Sequence, residues 1–113
     1  MKRVIQYVGV VALLLATSVG AAGTSPLIDA VKRGDHQAVR TLARSRAEVN
    51  VAEPDGMTAL HYAVQANDLE LTTLLIRAGA NVKATNRYGI QPITLAAMNG
   101  SAPALDALIK AGA

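Results

Sequence analysis

The sequence predicts an all-α solenoid of stacked helix–turn–helix units that carry turn-bearing loops. Three observations predict it. First, the chain repeats itself at a constant offset: Leu27 falls on Leu60 and Ile93, Ala30 on Ala63 and Ala96, Leu42 on Leu75 and Leu108, and Gly34 on Asn67 and Gly100. A fixed period in this range marks a stacked array, each unit being one supersecondary element. Second, every period holds two short apolar segments bounded by helix caps and by Gly or Asn. Third, Trp and Phe are absent and Tyr7, Tyr62 and Tyr88 are the only aromatics. A core without large rings must be built from Ala, Leu, Ile and Val, which suits thin, closely packed helices.

The start of the chain reads as a targeting segment rather than as part of the fold. Lys2 and Arg3 form a short positive end, Val8 to Ala16 an apolar run, and Val19 to Gly23 a stretch of small residues. That order is that of a secretory signal peptide over residues 1–22, with the positive end held on the cytoplasmic side. Cleavage is expected near Ala21 or Ala22, leaving a periplasmic or secreted protein. The alternative is an uncleaved leader tethering the chain to a membrane. No charge occurs between Val4 and Ile28, a stretch long enough to span roughly 30 Å of hydrocarbon.

Three units follow, at 25–52, 53–85 and 86–113, the last incomplete at its C-terminal end. In the first helix of each, Ser25 and Thr58 are hydroxyl N-caps that accept from the orphan N–H groups of the first turn. Pro26 and Pro92 stand at the first helical position, where the missing N–H costs nothing. Gln91 is a weaker cap, so the third unit's first helix has a less defined start. Gly34, Asn67 and Gly100 end these helices and are the residue types that tolerate a left-handed cap. The second helices come from "DHQAVRTLARS", "DLELTTLLIRA" and "SAPALDALIKA". In the middle unit Leu71, Leu74 and Leu75 share a buried face, and Gly79 ends the helix. Ala63, Val64, Ala96 and Ala97 are small enough to let neighbouring units approach. Helices this short are marginal alone, so stability must come from unit-against-unit stacking. The last helix carries Leu105, Leu108 and Ile109 with no conspicuous polar capping face.

Composition and spacing exclude much chemistry. The formal net charge is +3, but Lys2 and Arg3 lie in the leader. From Pro26 onward nine Lys and Arg face eight Asp and Glu, so nucleic acid is not an expected partner. With no cysteine, there is no disulfide framework, thiolate metal site or cysteine nucleophile. His36 and His61 do not sit with closely spaced ligands, so no metal is expected. His36, at the start of a second helix, reads as structural or exposed. Ser25 and Thr58 are accounted for as caps and lack a base with an orienting group. The glycines lie at caps and turns rather than at phosphate-loop spacing. No catalytic residue and no cofactor are expected.

The stretch "DGMTALHYAVQANDLELTTLLIRAGANV" resembles the ankyrin repeat, with Gly, Thr, Leu-His, Ala, Leu-Leu and Gly-Ala in that family's pattern. "YGIQPITLAAMNGSAPALDALIKAGA" resembles a second copy and "SPLIDAVKRGDHQAVRTLARSRAEVN" a degenerate first one. Four departures stand out. Ile28 and Thr94 replace the family's His, Arg46 its Gly, and Ala59 its Pro. The resemblance implies that His61 ties neighbouring loops together by hydrogen bonds. It also implies a non-catalytic protein–protein interaction module with a concave face built from loop tips and the exposed ends of the first helices. That face maps to Lys32, Arg33, Asp55, Met57, Gln65, Arg87, Tyr88, Ile90, Met98 and Asn99, with Glu53, Ala66 and Thr85 beside them. The implied partner is another protein, for which this chain would be a scaffold, assembly factor or inhibitor; an enzyme's accessory domain is the other reading. Met57, Ile90 and Met98 are expected to be apolar side chains facing solvent there, a mark of a partner surface.

Overall fold

A computed structural model of the chain describes residues 25–113, so the leader expected over 1–22 lies outside the described residues. Among these, seven helices occur: α1 (Pro26–Arg33), α2 (His36–Leu42), α3 (Arg46–Val49), α4 (Ala59–Gln65), α5 (Leu69–Arg77), α6 (Pro92–Met98) and α7 (Ala102–Lys110). The extended pairing among the described residues is an isolated antiparallel bridge between Ala52 and Thr58. The helices pair as α1 with α2, α4 with α5 and α6 with α7. α1, α4 and α6 then stack as an inner row, and α2, α5 and α7 as an outer row.

The repeat extends to individual hydrogen bonds. At Gly34, Asn67 and Gly100 the backbone turns left-handed, with φ of 68°, 55° and 66°. The next residue's N–H then returns to the carbonyl of Ala30, Ala63 or Ala96, each at 3.0 Å. That same residue caps the second helix. Asp35 accepts from Ala38 N at 3.1 Å, Asp68 from Leu71 N at 3.1 Å and Ser101 from Ala104 N at 3.3 Å. One short turn thus ends one helix and starts the next, because the left-handed residue aims the following side chain at the orphan N–H groups of the second helix.

The inner-helix starts follow their residue types. Ser25 Oγ accepts from Ile28 N at 3.2 Å. Thr58 and His61 form a capping box, the hydroxyl facing the helix and the imidazole facing back. Gln91 makes no side-chain cap, as an amide at that position leads one to expect.

The core is the set of residues the period brings to the seams. Ala30, Ala63 and Ala96 are fully buried, as are Leu27, Leu60, Val39, Leu75 and Leu108. Three small residues in one register let the inner helices approach while the leucines fill the space between rows. Leu71 is buried and Leu74 half-buried. Ala97 departs from expectation: it is exposed, whereas Val64, at the same register, is buried. Val64 is covered by the unit that follows it, and among the described residues no unit packs on Ala97.

Arg46 explains the largest local difference between units. Its register equivalents, Gly79 and Gly112, have φ of 99° and 102°. A side chain makes that conformation costly, and Arg46 does not adopt it. The chain instead winds into α3, a short helix with no counterpart at 79–82 in unit 2. α3 places Glu48 against the first helix, where its Oε1 accepts from Ser25 Oγ at 2.7 Å and from Leu27 N at 3.5 Å. Ile28, at the register of His61, is fully buried as plain core. Unit 1 therefore fastens its helix start with Glu48 where unit 2 uses a histidine.

Candidate functional site

The loops between units form two equivalent tips. In the first, Gly56 N donates to Glu53 O at 2.7 Å and Glu53 N to Met57 O at 2.9 Å. In the second, Gly89 N donates to Asn86 O at 3.0 Å and Asn86 N to Ile90 O at 3.1 Å. The tips are fastened side by side. Arg87 N donates to Asp55 O at 2.8 Å, and Arg87 Nη2 reaches Pro54 O at 3.5 Å. At Gly56 (φ 87°) a Cβ would lie 2.7 Å from Asn86 Cα, so the absence of a side chain sets how closely the tips approach.

His61 anchors the second tip from beneath. Its Nδ1 accepts from Thr58 N at 3.1 Å and lies 2.9 Å from Thr58 Oγ1. With Nδ1 accepting, Nε2 carries the hydrogen and donates to Ile90 O at 2.9 Å. The ring is fully buried. Thr58 and His61 touch, yet they are no nucleophile and base. The hydroxyl is inside a cap, and the far ring nitrogen meets a backbone carbonyl rather than an orienting carboxylate. No cluster of three or more metal-ligating side chains occurs among the described residues.

The ten residues mapped to the binding face fall into three groups. Tyr88 and Met98 are 74% and 73% exposed, the most open large apolar side chains described. Arg33, Gln65, Arg87 and Asn99 are exposed with them. Asn99 also has structural work, donating from Nδ2 to Val64 O at 2.9 Å and Gln65 O at 3.3 Å. That bridge closes the end of α4 against the end of α6.

Met57 and Ile90 correct the expectation of solvent exposure. Met57 is buried, with Asn86 Nδ2 3.5 Å from its sulfur. Ile90 is half-buried against the core, and Asn86 Oδ1 accepts from its N–H at 3.0 Å. Both flank the turns by which each loop re-enters the stack, so their side chains point inward. Asp55 is half-buried and largely occupied with the turn, accepting from Met57 N at 3.0 Å.

Lys32 belongs to a group that sequence reasoning did not assemble. Its Nζ donates to Glu53 Oε2 at 3.1 Å and lies 4.6 Å from the centre of the Tyr62 ring. The Tyr62 hydroxyl donates to Glu53 Oε1. Burial, then the Glu53 carboxylate, holds that hydroxyl well above the usual tyrosine range. The triad joins α1, the first tip and α4. Tyr62 carried no sequence signal for this, because its register equivalents are Asp29 and Leu95. The inner face is therefore tied by polar contacts at the first seam, and at unit 3 it exposes Tyr88 and Met98 beside Arg87 and Asn99.

The comparisons with known proteins come down to one family. Residues 3–86 and 27–113 match the family described as ankyrin repeats (3 copies). The zebrafish (Danio rerio) Notch-regulated ankyrin repeat-containing protein A is 36% identical over 76 residues, 64% of this chain and 68% of that protein. The human protein of the same name is 36% identical over 76 residues, 64% of this chain and 67% of its own length. Human neurogenic locus notch homolog protein 2 is 41% identical over 59 residues, 52% of this chain but 2% of that much longer protein.

Proposed function

From the premise that the chain belongs to the ankyrin repeat family, we propose that it is a non-catalytic module that holds another protein on its inner face and loop tips. The observation that carries this is the exposure of Tyr88 and Met98 on a scaffold whose other large apolar side chains are mostly buried. Tyrosine and arginine dominate interface energies. A flexible methionine fits an irregular partner surface with little strain. Tyr88 and Arg87 sit on a tip held in place by its neighbour, so little ordering entropy is lost when they bind.

The order of charged, apolar and small residues before Ser25 supports action outside the cytoplasm, with the leader removed near Ala21 or Ala22. Intact-mass measurement of the exported protein tests this part. A mass that includes Met1 to Ala21 means a membrane-tethered scaffold instead.

Binding is tested by capture from a periplasmic or secreted extract, comparing wild type with Arg87→Ala plus Tyr88→Ala. Loss of a specific partner with unchanged melting supports the reading. Equal recovery by both proteins contradicts the placement of the face.

A further inference from the structure

The first seam carries a side-chain cluster on the outer row, away from the inner face. His36 opens α2. Its Nε2 lies 2.7 Å from Asp68 Oδ2 and its Nδ1 2.6 Å from Glu70 Oε2, so both ring nitrogens face carboxylates of the next unit. The same Glu70 oxygen takes Arg40 Nη2 at 2.8 Å. Proton counting decides what this arrangement requires. A neutral imidazole has one N–H and one lone pair. It can donate to one of the two carboxylates, and its lone pair then opposes the other. Only the doubly protonated ring satisfies both contacts.

We propose that His36 is a proton-operated clasp between units 1 and 2, closed when its ring carries both hydrogens and loosened when it loses one. The clasp is particular to this seam. At the register of His36 the other units carry Leu69 and Ala102, neither of which titrates. Every charged group facing the ring has a definite sense. Asp68 and Glu70 from α5 favour the cation. Arg40 on α2 and the α2 N-terminus oppose it. Asp35 beside it favours the cation while caught by Arg33 at 3.9 Å.

The side-chain bond to Asp68, ahead of that to Glu70, raises the His36 pKa above 6.5 against the opposing effect of burial. Against burial, which acts to raise it, the bonds from His36 and the Leu71 N–H hold Asp68 below 3.8. The signs follow from linkage. A raised histidine contributes stability that is complete below 6.5 and lost as pH climbs through the folded value. A depressed Asp68 contributes above 3.8 and fails as pH falls through its folded value. The clasp is tightest between those limits. Because such arrays couple only nearest neighbours, the clasp acts on the outer side of this one seam, while the packing of α1 on α4 and the Lys32, Glu53 and Tyr62 group hold its inner side.

The test is proton NMR titration of the histidine ring hydrogens in wild type and Glu70→Gln, with urea melts of wild type and His36→Gln at pH 5.5 and pH 8.5. The proposal expects a wild-type His36 midpoint above 6.5, lowered in Glu70→Gln. It also expects His36→Gln to cost more stability at pH 5.5 than at pH 8.5. A His36 midpoint at or below 6.5, or the same pH dependence in wild type and His36→Gln, overturns it.

Discussion

The His61 side chain reaches across a unit boundary, its Nε2 donating to the Ile90 carbonyl at 2.9 Å while its Nδ1 accepts from the Thr58 N–H at 3.1 Å. One buried ring thus caps α4 and holds the tip that carries Arg87 and Tyr88. Replacing it with alanine strands a buried donor and a buried acceptor together. Leaving such groups unpaired costs about 1–3 kcal/mol each. His61→Ala is expected to lose about 2–4 kcal/mol in urea denaturation. A loss under about 1 kcal/mol would mean that the ring does not hold the tip.

The close approach of the two tips gives a comparison between glycines. Gly56 and Gly89 have similar left-handed backbones, φ 87° and 76°, but a Cβ at Gly89 meets open space. Gly89→Ala carries only the conformational cost, about 1–2 kcal/mol. Gly56→Ala adds a collision with the Asn86 backbone and is expected to be the more damaging by at least about 1 kcal/mol. Parallel urea melts measure the difference, and equal losses would show that the tips move apart freely.

Asn99 offers a test of a donor against an acceptor. Its amide nitrogen serves two carbonyls of the preceding unit. Asn99→Ala removes the bridge, at about 1 kcal/mol. Asn99→Asp presents a carboxylate to the same two oxygens and is expected to be worse than alanine at neutral pH. Thermal melts of both variants decide it. An aspartate variant at least as stable as the alanine one would contradict the bridge.

Val64 and Ala97 share a register but not an environment. Val64→Ala opens space at a filled seam and is expected to cost about 1–2 kcal/mol, toward the low end for a buried deletion. Ala97→Val, at an exposed position, is expected to stay within about 0.5 kcal/mol of wild type. A large effect of Ala97→Val in a urea melt would show that another surface covers α6.

The residues that were legible in the sequence act within a few positions of themselves. Ser25, Thr58, Gly34, Asn67 and Gly100 cap or end helices through local contacts, so their residue types declare the helix boundaries. The alanine and leucine positions were legible because the period sums them across units. What was not legible acts at long range. Glu48 accepts from Ser25 across 23 residues, and Glu53, Lys32 and Tyr62 meet only after the units stack. Met57 and Ile90 misled because a loop tip is exposed as a whole while the residues where it re-enters the stack turn inward. Arg46 was visible as a departure from the pattern, but its consequence, a helix in place of a left-handed turn, depended on what the chain could form instead.

The central claim is that recognition resides on the inner face and tips while the stacked helices serve as support. The most direct measurement is the affinity of a captured partner for three proteins of matched melting temperature: wild type, Tyr88→Ala plus Met98→Ala, and Arg44→Ala plus Arg77→Ala, in the turn after α2 and at the end of α5. The account predicts a loss of about 10-fold or more in the Tyr88 and Met98 variant, about 1.4 kcal/mol, and an unchanged affinity in the Arg44 and Arg77 variant. Loss in the Arg44 and Arg77 variant alone, or in neither variant, would contradict it.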